Sequence, residues 1–202
     1  MLIFGITGPS GAGKGVVSDI LASHGVKIID ADKVYHKIIT PPSKCLDELV
    51  SFFGDGILDA NGYLDRAALS KLVFGEENAD KLEMLNKITH KYVAEDILGT
   101  VAALEANGER FCAIDAPLLI EARLNDRCDA VVAVIAPKEI RAERISQRDS
   151  LDIERAYARI NSQKSAEYYI SYADYVVNND GDIVGVKVAV EEILTERKVI
   201  DR

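Results

Sequence analysis

A glycine-rich segment near the start of the chain has residue types and spacing suited to binding phosphate. It reads Gly8-Pro9-Ser10-Gly11-Ala12-Gly13-Lys14 and matches the pattern G-x-x-x-x-G-K. Glycines let successive backbone N–H groups converge on phosphate oxygens, the start of the following helix adds partial positive charge, and the lysine can reach the outer phosphates. The alternative is a glycine-rich turn that only joins a strand to a helix. We expect nucleotide contacts from Gly11, Ala12, Gly13, Lys14, Gly15 and Val16.

The residue after Lys14 departs from the usual pattern. That position is commonly Ser or Thr, whose hydroxyl is a ligand of Mg²⁺, whereas this chain has Gly15. Water or a nearby carboxylate must then complete the octahedral shell, which Mg²⁺ tolerates because it usually keeps several waters. The substitution bears on metal affinity and rate but leaves the cradling of phosphates intact.

Aspartates follow two of the apolar runs that we interpret as strands. Asp30 ends the second run and Asp32 lies two residues later, while Asp115 ends the third run. Phosphoryl transfer to an alcohol needs an acceptor for the hydroxyl proton, and a carboxylate near lysine and Mg²⁺ stays ionised. Asp32 is therefore a candidate general base, with a helix N-cap as the alternative. Asp115 is a candidate for orienting Mg²⁺ through water, with a turn aspartate before Pro117 as the alternative.

A short stretch of this acidic chain is rich in arginine and contains Arg141, Arg144, Arg148, Arg155 and Arg159. On a helix, the first three would share one face. Arginines that close over phosphates neutralise charge on the group in transfer. Acidic residues are interspersed, so ordinary surface ion pairs are the alternative to a lid that covers the nucleotide.

These residues must be positioned by alternating strands and helices. Compact apolar runs without strict alternation predict buried strands over Leu2–Ile6, Val26–Asp30, Phe111–Asp115, Ala130–Ile135 and Tyr175–Asn178. Amphipathic patterns predict helices over Lys14–His24, Lys138–Asp149, Ile153–Gln163 and Ile183–Arg197. The alternation indicates an α/β fold with a doubly wound, five-stranded parallel sheet, whose ligands bind at the carboxyl ends of the strands.

A long insertion separates the second strand from the third. It carries helical periodicity over Leu64–Phe74 and from Leu82 to Leu104, and it closes at Asn107-Gly108, a helix-stop signal. We expect an inserted helical subdomain that supplies a wall for a second substrate.

Composition and charge argue against several classes of protein, such as nucleic-acid-binding, membrane-spanning and disulfide-rich proteins. The chain has 202 residues, of which 48% are hydrophobic, so a sizeable core is expected. A net charge of −9 argues against nucleic acid as a partner. No stretch approaches the roughly 20 apolar residues of a membrane helix, and the first residues lack the charged start of a signal peptide. Cys45, Cys112 and Cys128 have no metal-ligand spacing and an odd count, which favours free thiols in a reducing cytoplasm.

Together these segments resemble the dephospho-CoA kinase family along essentially the whole chain. The most specific matches are Pro117-Leu118-Leu119-Ile120-Glu121 and Ala158-Arg159-Ile160-Asn161-Ser162-Gln163, in this order. Further matches are the phosphate loop, Asp30-Ala31-Asp32, Leu64–Leu69, Gln147-Arg148-Asp149, and Ala173-Asp174 through Asn178–Gly181.

The resemblance implies an enzyme that uses ATP and Mg²⁺ to phosphorylate the ribose 3′-hydroxyl of dephospho-CoA, the last step of coenzyme A synthesis. It implies a P-loop kinase fold of the nucleotide-kinase type, with a nucleotide-binding core at residues 1–34 and 109–202. A helical CoA subdomain would occupy residues 35–108, and a mobile helical lid residues 141–169.

The resemblance also implies roles for individual residues. Asp32 matches the general base, and Lys14 the phosphate-binding lysine. Further ATP contacts are implied for Arg144, Arg148, Arg159, Asn179 and Gly181, where Arg144 and Arg159 neutralise charge and the Asn179–Gly181 turn lies near adenine. Contacts with the acceptor are implied for Thr7, Asp32, Arg66, His90, Pro117, Leu118 and Glu121.

Two residues depart from the family pattern. One is Gly15, and the other is Lys91, which follows His90 where the family usually has proline. Without that proline, we expect a helix over Ala79–Asn107 to bend less sharply. His90 itself is either a substrate contact or a histidine packed between helices. The competing functions are a kinase for another nucleoside, nucleotide or sugar, and a nucleotide-binding protein without activity.

Overall fold

Five short strands form one fully parallel sheet in the computed structural model, which describes residues 1 to 201. The strands are β1 Leu2–Thr7, β2 Lys27–Asp30, β3 Phe111–Asp115, β4 Ala130–Ile135 and β5 Tyr175–Asn178. Their spatial order is β2-β3-β1-β4-β5, and every pair of neighbours is parallel. The predicted α/β fold with five parallel strands is therefore confirmed, and three of the strands have the predicted bounds.

The helices within the described residues are α1 Lys14–Ser23, α2 Ala31–Ile38, α3 Lys44–Phe53, α4 Arg66–Val73, α5 Ala79–Ala106, α6 Lys138–Asp149, α7 Ile153–Asn161, α8 Ala166–Ile170 and α9 Ile183–Glu196. Short 3₁₀ helices occupy Asp55–Ile57, Glu76–Asn78 and Asn125–Arg127. No helix in residues 1 to 201 combines the length and the apolar character needed to cross a membrane.

Side chains on both faces of the sheet are buried. On one face, Phe4 and Ile6 pack with Val17 and Leu21 of α1 and with α9 residues such as Leu194. On the other face, Ala133 packs with Ile120 and with Tyr169 of α8. Because successive strand residues point to opposite faces, strands covered on both sides lose strict alternation, as the sequence predicted.

The register brings acidic residues to one edge of the sheet. Asp115 at the end of β3 lies opposite Ile6 of β1 and opposite Asp30, the last residue of β2. Thr7 ends β1 opposite Ala133 of β4. The loop after β1 therefore leaves the sheet at the carboxyl ends of the strands, where such sheets bind their ligands.

The chain divides into two compact units. The first comprises residues 1–30 and the chain from Val101 onward, and it contains the sheet. The second comprises Ala31–Thr100 and is mostly helical, with α2, α3, α4, most of α5 and one antiparallel bridge between Leu58 and Leu64. Its bounds differ by a few residues from the insertion expected at 35–108.

Capping and ion pairs organise the second unit. Ser43 caps α3 by accepting a hydrogen bond from Leu46 N–H at 3.3 Å, and Asp65 caps α4 in the same way. Lys91 and Tyr92 of α5 both bind the Glu48 carboxylate of α3, at 2.9 and 2.7 Å. α5 continues as one helix through His90 and Lys91, which agrees with the absence of proline at position 91.

The three cysteines carry free thiols, as predicted. Burial raises the pKa of the Cys45 and Cys112 thiols to about 11 and that of Cys128 to about 12. The thiolate forms are therefore scarce at neutral pH, which is typical of structural cysteines.

Candidate active site

The loop between β1 and α1 is built on glycines with positive φ. Gly8, Gly11 and Gly13 have φ values of 142°, 79° and 93°, and Gly13 is the N-cap of α1 in the left-handed region. Residues with a Cβ rarely adopt these angles. The first backbone groups of α1 thus follow a loop that only glycine-rich sequence can form.

Close packing adds a second requirement for glycine at the same positions. A Cβ placed on Gly8 would lie 2.1 Å from the Val134 carbonyl oxygen, and one on Gly11 would lie 2.7 Å from the Arg141 carbonyl oxygen. At Gly13 it would lie 2.1 Å from the Asn179 side-chain nitrogen. The loop is therefore pressed against β4, against α6 and against the residue that follows β5. Its conformation is fixed by its surroundings as well as by its sequence.

Three arginines of α6 contact this loop. Arg141 donates from Nε to the Ser10 carbonyl oxygen at 2.9 Å, and Arg148 Nη2 lies 3.4 Å from Ser10 Oγ. Arg144 donates to the carbonyl oxygens of Gly11 and Ala12, both at 3.3 Å. The predicted helix over Lys138–Asp149 is confirmed, and the i, i+3, i+7 spacing does place these three side chains on one face.

Asn179 ties Arg144 to the loop. Its side chain is 2% exposed, donates to the Ala12 carbonyl oxygen at 3.0 Å and accepts from Arg144 Nη2 at 3.0 Å. Arg144 also donates to the backbone carbonyl oxygen of Asn179 at 3.2 Å. The Asn179 side chain is therefore engaged in holding the loop. Gly181, two residues later, has φ 114° and open space around it.

Three arginines of the stretch form ion pairs, including Arg148, which also contacts the loop. Arg148 and Arg159 both pair with Asp149, at 2.7 and 2.6 Å, and Arg155 pairs with Asp152 at 3.2 Å. The hydrogen bond from Arg148 is the main cause of the lowered pKa of Asp149. Arg141 and Arg144 thus hold the loop, whereas Arg155 makes an ordinary surface pair. A lid that covers the nucleotide stays a prediction.

Asp115 is held by a serine that no sequence motif singles out. Ser18 Oγ donates to Asp115 Oδ2 at 2.6 Å, and it also lies 3.2 Å from the Lys14 carbonyl oxygen. Ser18 is 6% exposed and lies three residues after Gly15, on the same face of α1. From sequence alone, the three-residue spacing could have placed Ser18 on the same helix face as Gly15. Its partner Asp115 on β3 could not have been found, because that contact depends on the tertiary structure. The contact restrains one carboxylate oxygen of Asp115.

Lys14 is the first residue of α1 and turns back over the loop. Its Nζ donates to the Gly8 carbonyl oxygen at 3.0 Å. This places the ammonium group within the phosphate loop, which agrees with the position expected of a phosphate-binding lysine.

Several of the expected acceptor contacts lie in the first unit. Thr7 is fully buried, and its Oγ1 has no hydrogen-bond partner within the described residues. Glu121 Oε2 is also buried without a partner there, whereas Leu118 is 48% exposed in the turn that follows Pro117. Burial, followed by the Glu121 carboxylate, raises the pKa of Tyr168 and Tyr169. Buried side-chain oxygens without a hydrogen-bond partner are uncommon in proteins.

The second unit contains the other three expected acceptor residues. Asp32 lies in the first turn of α2, which begins at Ala31, so the N-cap alternative for Asp32 does not hold. Arg66 Nη2 lies 2.7 Å from Nδ1 of His36, and His90 is half-buried on α5. Burial raises the pKa of the nearby Tyr35, and Arg66 counteracts that shift.

The parallel sheet, its strand order and the glycine-rich loop before α1 define a P-loop kinase. A family model described as dephospho-CoA kinase matches residues 2–185. The dephospho-CoA kinase of Carboxydothermus hydrogenoformans is 37% identical over 193 residues, which cover 96% of this chain and 91% of that protein. The chain belongs to the dephospho-CoA kinase family, whose members are ATP-dependent kinases.

Solved structures agree with this assignment. A protein from Thermus thermophilus has a TM-score of 0.79 and 30% identity, with 96% of this chain and 97% of that chain covered. The dephospho-CoA kinase from Campylobacter jejuni has a TM-score of 0.69 and 28% identity, with 96% of each chain covered.

Proposed function

We propose that this chain transfers the γ-phosphoryl group of ATP to the ribose 3′-hydroxyl of dephospho-CoA and yields coenzyme A and ADP. Family membership supports the reaction. The observation that carries it is the phosphate loop, whose glycines have no room for a side chain and whose carbonyl groups are held by Arg141 and Arg144. A loop fixed in this way keeps its N–H groups ready for phosphate oxygens without reorganisation.

The proposed ATP contacts follow from this loop. The N–H groups of Gly11 to Val16 bind the phosphate chain, and Lys14 moves from the Gly8 carbonyl oxygen to the outer phosphates. Arg144, Arg148 and Arg159 supply positive charge from the lid, which we assign to residues 141–169. The Asn179–Gly181 turn lies beside the adenine through its backbone, because the Asn179 side chain is already engaged.

The proposed chemistry needs one proton acceptor. Asp32 removes the proton of the 3′-hydroxyl as the hydroxyl oxygen bonds to the γ-phosphorus. The bond between that phosphorus and the β–γ bridging oxygen breaks, and ADP leaves. We assign residues 31–100 as the subdomain that binds the acceptor, with Arg66 and His90 as contacts. Thr7, Pro117, Leu118 and Glu121 are the proposed contacts from the first unit.

The described residues fit a magnesium ion that is held mainly by phosphates and water. Asp115 offers a carboxylate, Asp30 lies opposite it in the sheet, and Ser18 restrains one oxygen of Asp115. No group of three or more His, Cys, Asp or Glu residues in positions 1 to 201 could hold a metal ion without such help. When bound, the ion would neutralise negative charge on the phosphate oxygens. We further propose a cytoplasmic location and no nucleic-acid partner.

A panel of acceptors tests the proposed function. ADP release is measured with dephospho-CoA and, separately, with adenosine, adenosine monophosphate, shikimate and simple sugars, and the product is identified by mass. Of the acceptors in this panel, we expect dephospho-CoA to be the one that yields a phosphorylated product. Lys14→Ala serves as the control for contaminating kinases and should lose the activity. High activity with another acceptor would favour the rival kinase, and ATP binding without product at any Mg²⁺ concentration would favour a binding protein.

A further inference from the structure

Arg141 is a buried positive charge beside the phosphate loop. Arg141 belongs to α6, and the residue is only 4% exposed. Nε donates to the Ser10 carbonyl oxygen at 2.9 Å, and Nη2 donates to Gln163 Oε1 at 3.0 Å. Burial is the main cause of its lowered pKa, but a guanidinium group stays protonated in proteins.

Both of these hydrogen-bond partners of the guanidinium group are neutral oxygens. Among residues 1 to 201 the group forms no ion pair with a carboxylate, whereas Arg148, Arg155 and Arg159 of the same stretch each pair with an aspartate. A buried charge without a counter-ion is unfavourable unless an anion arrives to balance it. The arrangement is therefore better suited to the protein with an anion bound than to the protein without one.

Gln163 holds the same loop residue from the other side. Its Oε1 accepts both from Arg141 Nη2 and from the Ser10 N–H, the latter at 3.1 Å. Both backbone polar groups of Ser10 are thus engaged by this pair of side chains. The backbone of Arg141 also packs so closely on Gly11 that no Cβ would fit there. An amide in place of a carboxylate at position 163 orients the guanidinium group without cancelling its charge.

We propose that Arg141 is a positioning residue for ATP. Its fixed positive charge has the polyphosphate of the nucleotide as its counter-ion, and its side chain also holds Ser10 in the phosphate loop. The inference rests on the proposed use of ATP. It extends the proposed charge contacts to a residue that the family resemblance does not assign to the nucleotide.

The first test is Gln163→Glu, which keeps an oxygen acceptor for Arg141 and Ser10 but adds a negative charge beside the guanidinium group. The dissociation constants of ATP, ADP and adenosine are measured by calorimetry, together with the melting temperature of the unliganded protein. We expect the constant for ATP to rise about ten- to thirtyfold, since one charge is cancelled at short range in a partly buried site. The rise should be smaller for ADP and absent for adenosine, and the melting temperature should not fall.

Gln147→Glu is the matched control, because it adds the same charge to an exposed position of α6. It should change the ATP constant by no more than about twofold, as expected for a screened surface charge. If Gln163→Glu and Gln147→Glu bind ATP equally well, Arg141 has only a structural role and the inference is wrong.

A second pair of variants decides the matter if Gln163→Glu does not fold. Arg141→Lys keeps the charge, and Arg141→Met keeps only the bulk of the side chain. We expect Met to lose about tenfold or more of the ATP affinity and Lys to lose clearly less, because Lys keeps the charge but not the fork that holds Ser10, with adenosine binding unchanged in both. Equal loss in the two variants, or loss that extends to adenosine, would overturn the inference.

Binding is measured so that this inference and the proposed function fail separately. A wild-type protein that binds ATP but does not phosphorylate dephospho-CoA refutes the proposed function and leaves the role of Arg141 standing. A wild-type protein that phosphorylates dephospho-CoA, with Arg141 variants that bind ATP normally, refutes the role of Arg141 alone.

Discussion

The glycine at position 15 differs in kind from the glycines of the phosphate loop. Gly8, Gly11 and Gly13 have positive φ values and neighbours that exclude a Cβ, whereas Gly15 lies in regular helix with nothing within 4 Å of where its Cβ would be. No steric or conformational reason therefore requires glycine there. A serine or threonine at position 15 would instead add a hydroxyl oxygen that can bind Mg²⁺ near the phosphates of bound ATP.

Gly15→Ser should lower the Mg²⁺ concentration needed for half-maximal turnover, or leave it unchanged. It should also stabilise α1 by about 0.5 kcal/mol, because serine is a better helix former than glycine. Turnover is followed during Mg²⁺ titration, and unfolding is followed by denaturant. Gly99→Ser is the control, since Gly99 is exposed on α5 with equally open space and should change stability alone. A folded Gly15→Ser enzyme that needs more Mg²⁺ would contradict this account.

Asp32→Asn should reduce turnover about 10²- to 10⁴-fold, because the amide cannot accept the hydroxyl proton. The affinity for ATP should change little, since the carboxylate is proposed to act on the acceptor. Single-turnover kinetics and ATP binding measure the two effects separately. Asp30→Asn is the comparison, as Asp30 lies two residues earlier and ends β2. A larger loss of turnover in Asp30→Asn, with Asp32→Asn active, would exchange the roles of the two residues.

At the scale of elements, the phosphate loop is held from three sides by β4, α6 and Asn179. A position can require glycine for two reasons, a positive φ or a lack of space for a Cβ, and these two reasons can be tested separately. Gly25, which follows α1, has φ 84° and open space, while Gly13 has φ 93° and a Cβ there would lie 2.1 Å from the Asn179 side-chain nitrogen. The two glycines therefore form a matched pair with similar backbone strain and different surroundings.

Gly25→Ala should destabilise the protein by about 1 kcal/mol, the cost of a left-handed residue with a Cβ. Gly13→Ala should cost about 2–4 kcal/mol, because overpacking is added to the same strain, and ATP binding should be lost. Denaturant unfolding and calorimetry with ATP measure these effects. Equal destabilisation of the two variants would show that packing against Asn179 contributes nothing.

The ion pairs around Asp149 should respond to acid. The folded-state pKa of Asp149 lies below its ordinary value, so its stabilising contribution is complete above the unfolded pKa of about 3.9 and is lost as the pH falls through the folded value. Both paired arginines are about half exposed, so the effect is small. The difference in melting temperature between wild type and Asp149→Asn should therefore shrink from pH 7 to pH 3. A difference that grows in acid would contradict the pairing.

Some elements can be predicted from sequence and others cannot. β3, β4 and β5 match the prediction to the residue because each is a compact, mostly apolar run that directly follows a charged residue, namely Arg110, Asp129 or Asp174. α3 is not predicted, since Cys45, Leu46 and Leu49 bury one short face and its cap at Ser43 follows two prolines that suggest only a turn. α8 has five residues, too few for a helical period to show.

The candidate site is predictable where chemistry follows from a local motif. The phosphate loop and the shared face of the α6 arginines both depend on spacing along one element. The contacts that hold the loop join distant parts of the chain, and the hydrogen bond from Ser10 to Gln163 spans 153 residues. Such partners are set by how elements pack, which the residue pattern of a single sequence does not reveal.

At the scale of the whole molecule, the net charge of −9 should keep the protein from nucleic acid. We expect no binding of a labelled oligonucleotide, single- or double-stranded, at about 0.15 M salt, the physiological range. Fluorescence anisotropy measures this directly. Binding that weakens steeply as salt rises would reveal a basic surface and contradict the prediction.

β2 is an edge strand of four residues, paired only with β3 among the described strands. If it slid along its neighbour by a single position, Ile29 would stand opposite Asp115, and Asp30 would turn to the opposite side of the sheet. Ile29 is 5% exposed, so sliding would also expose a large apolar side chain. The burial of one isoleucine thus helps to decide on which side of the sheet the Asp30 carboxylate lies, next to the proposed magnesium site.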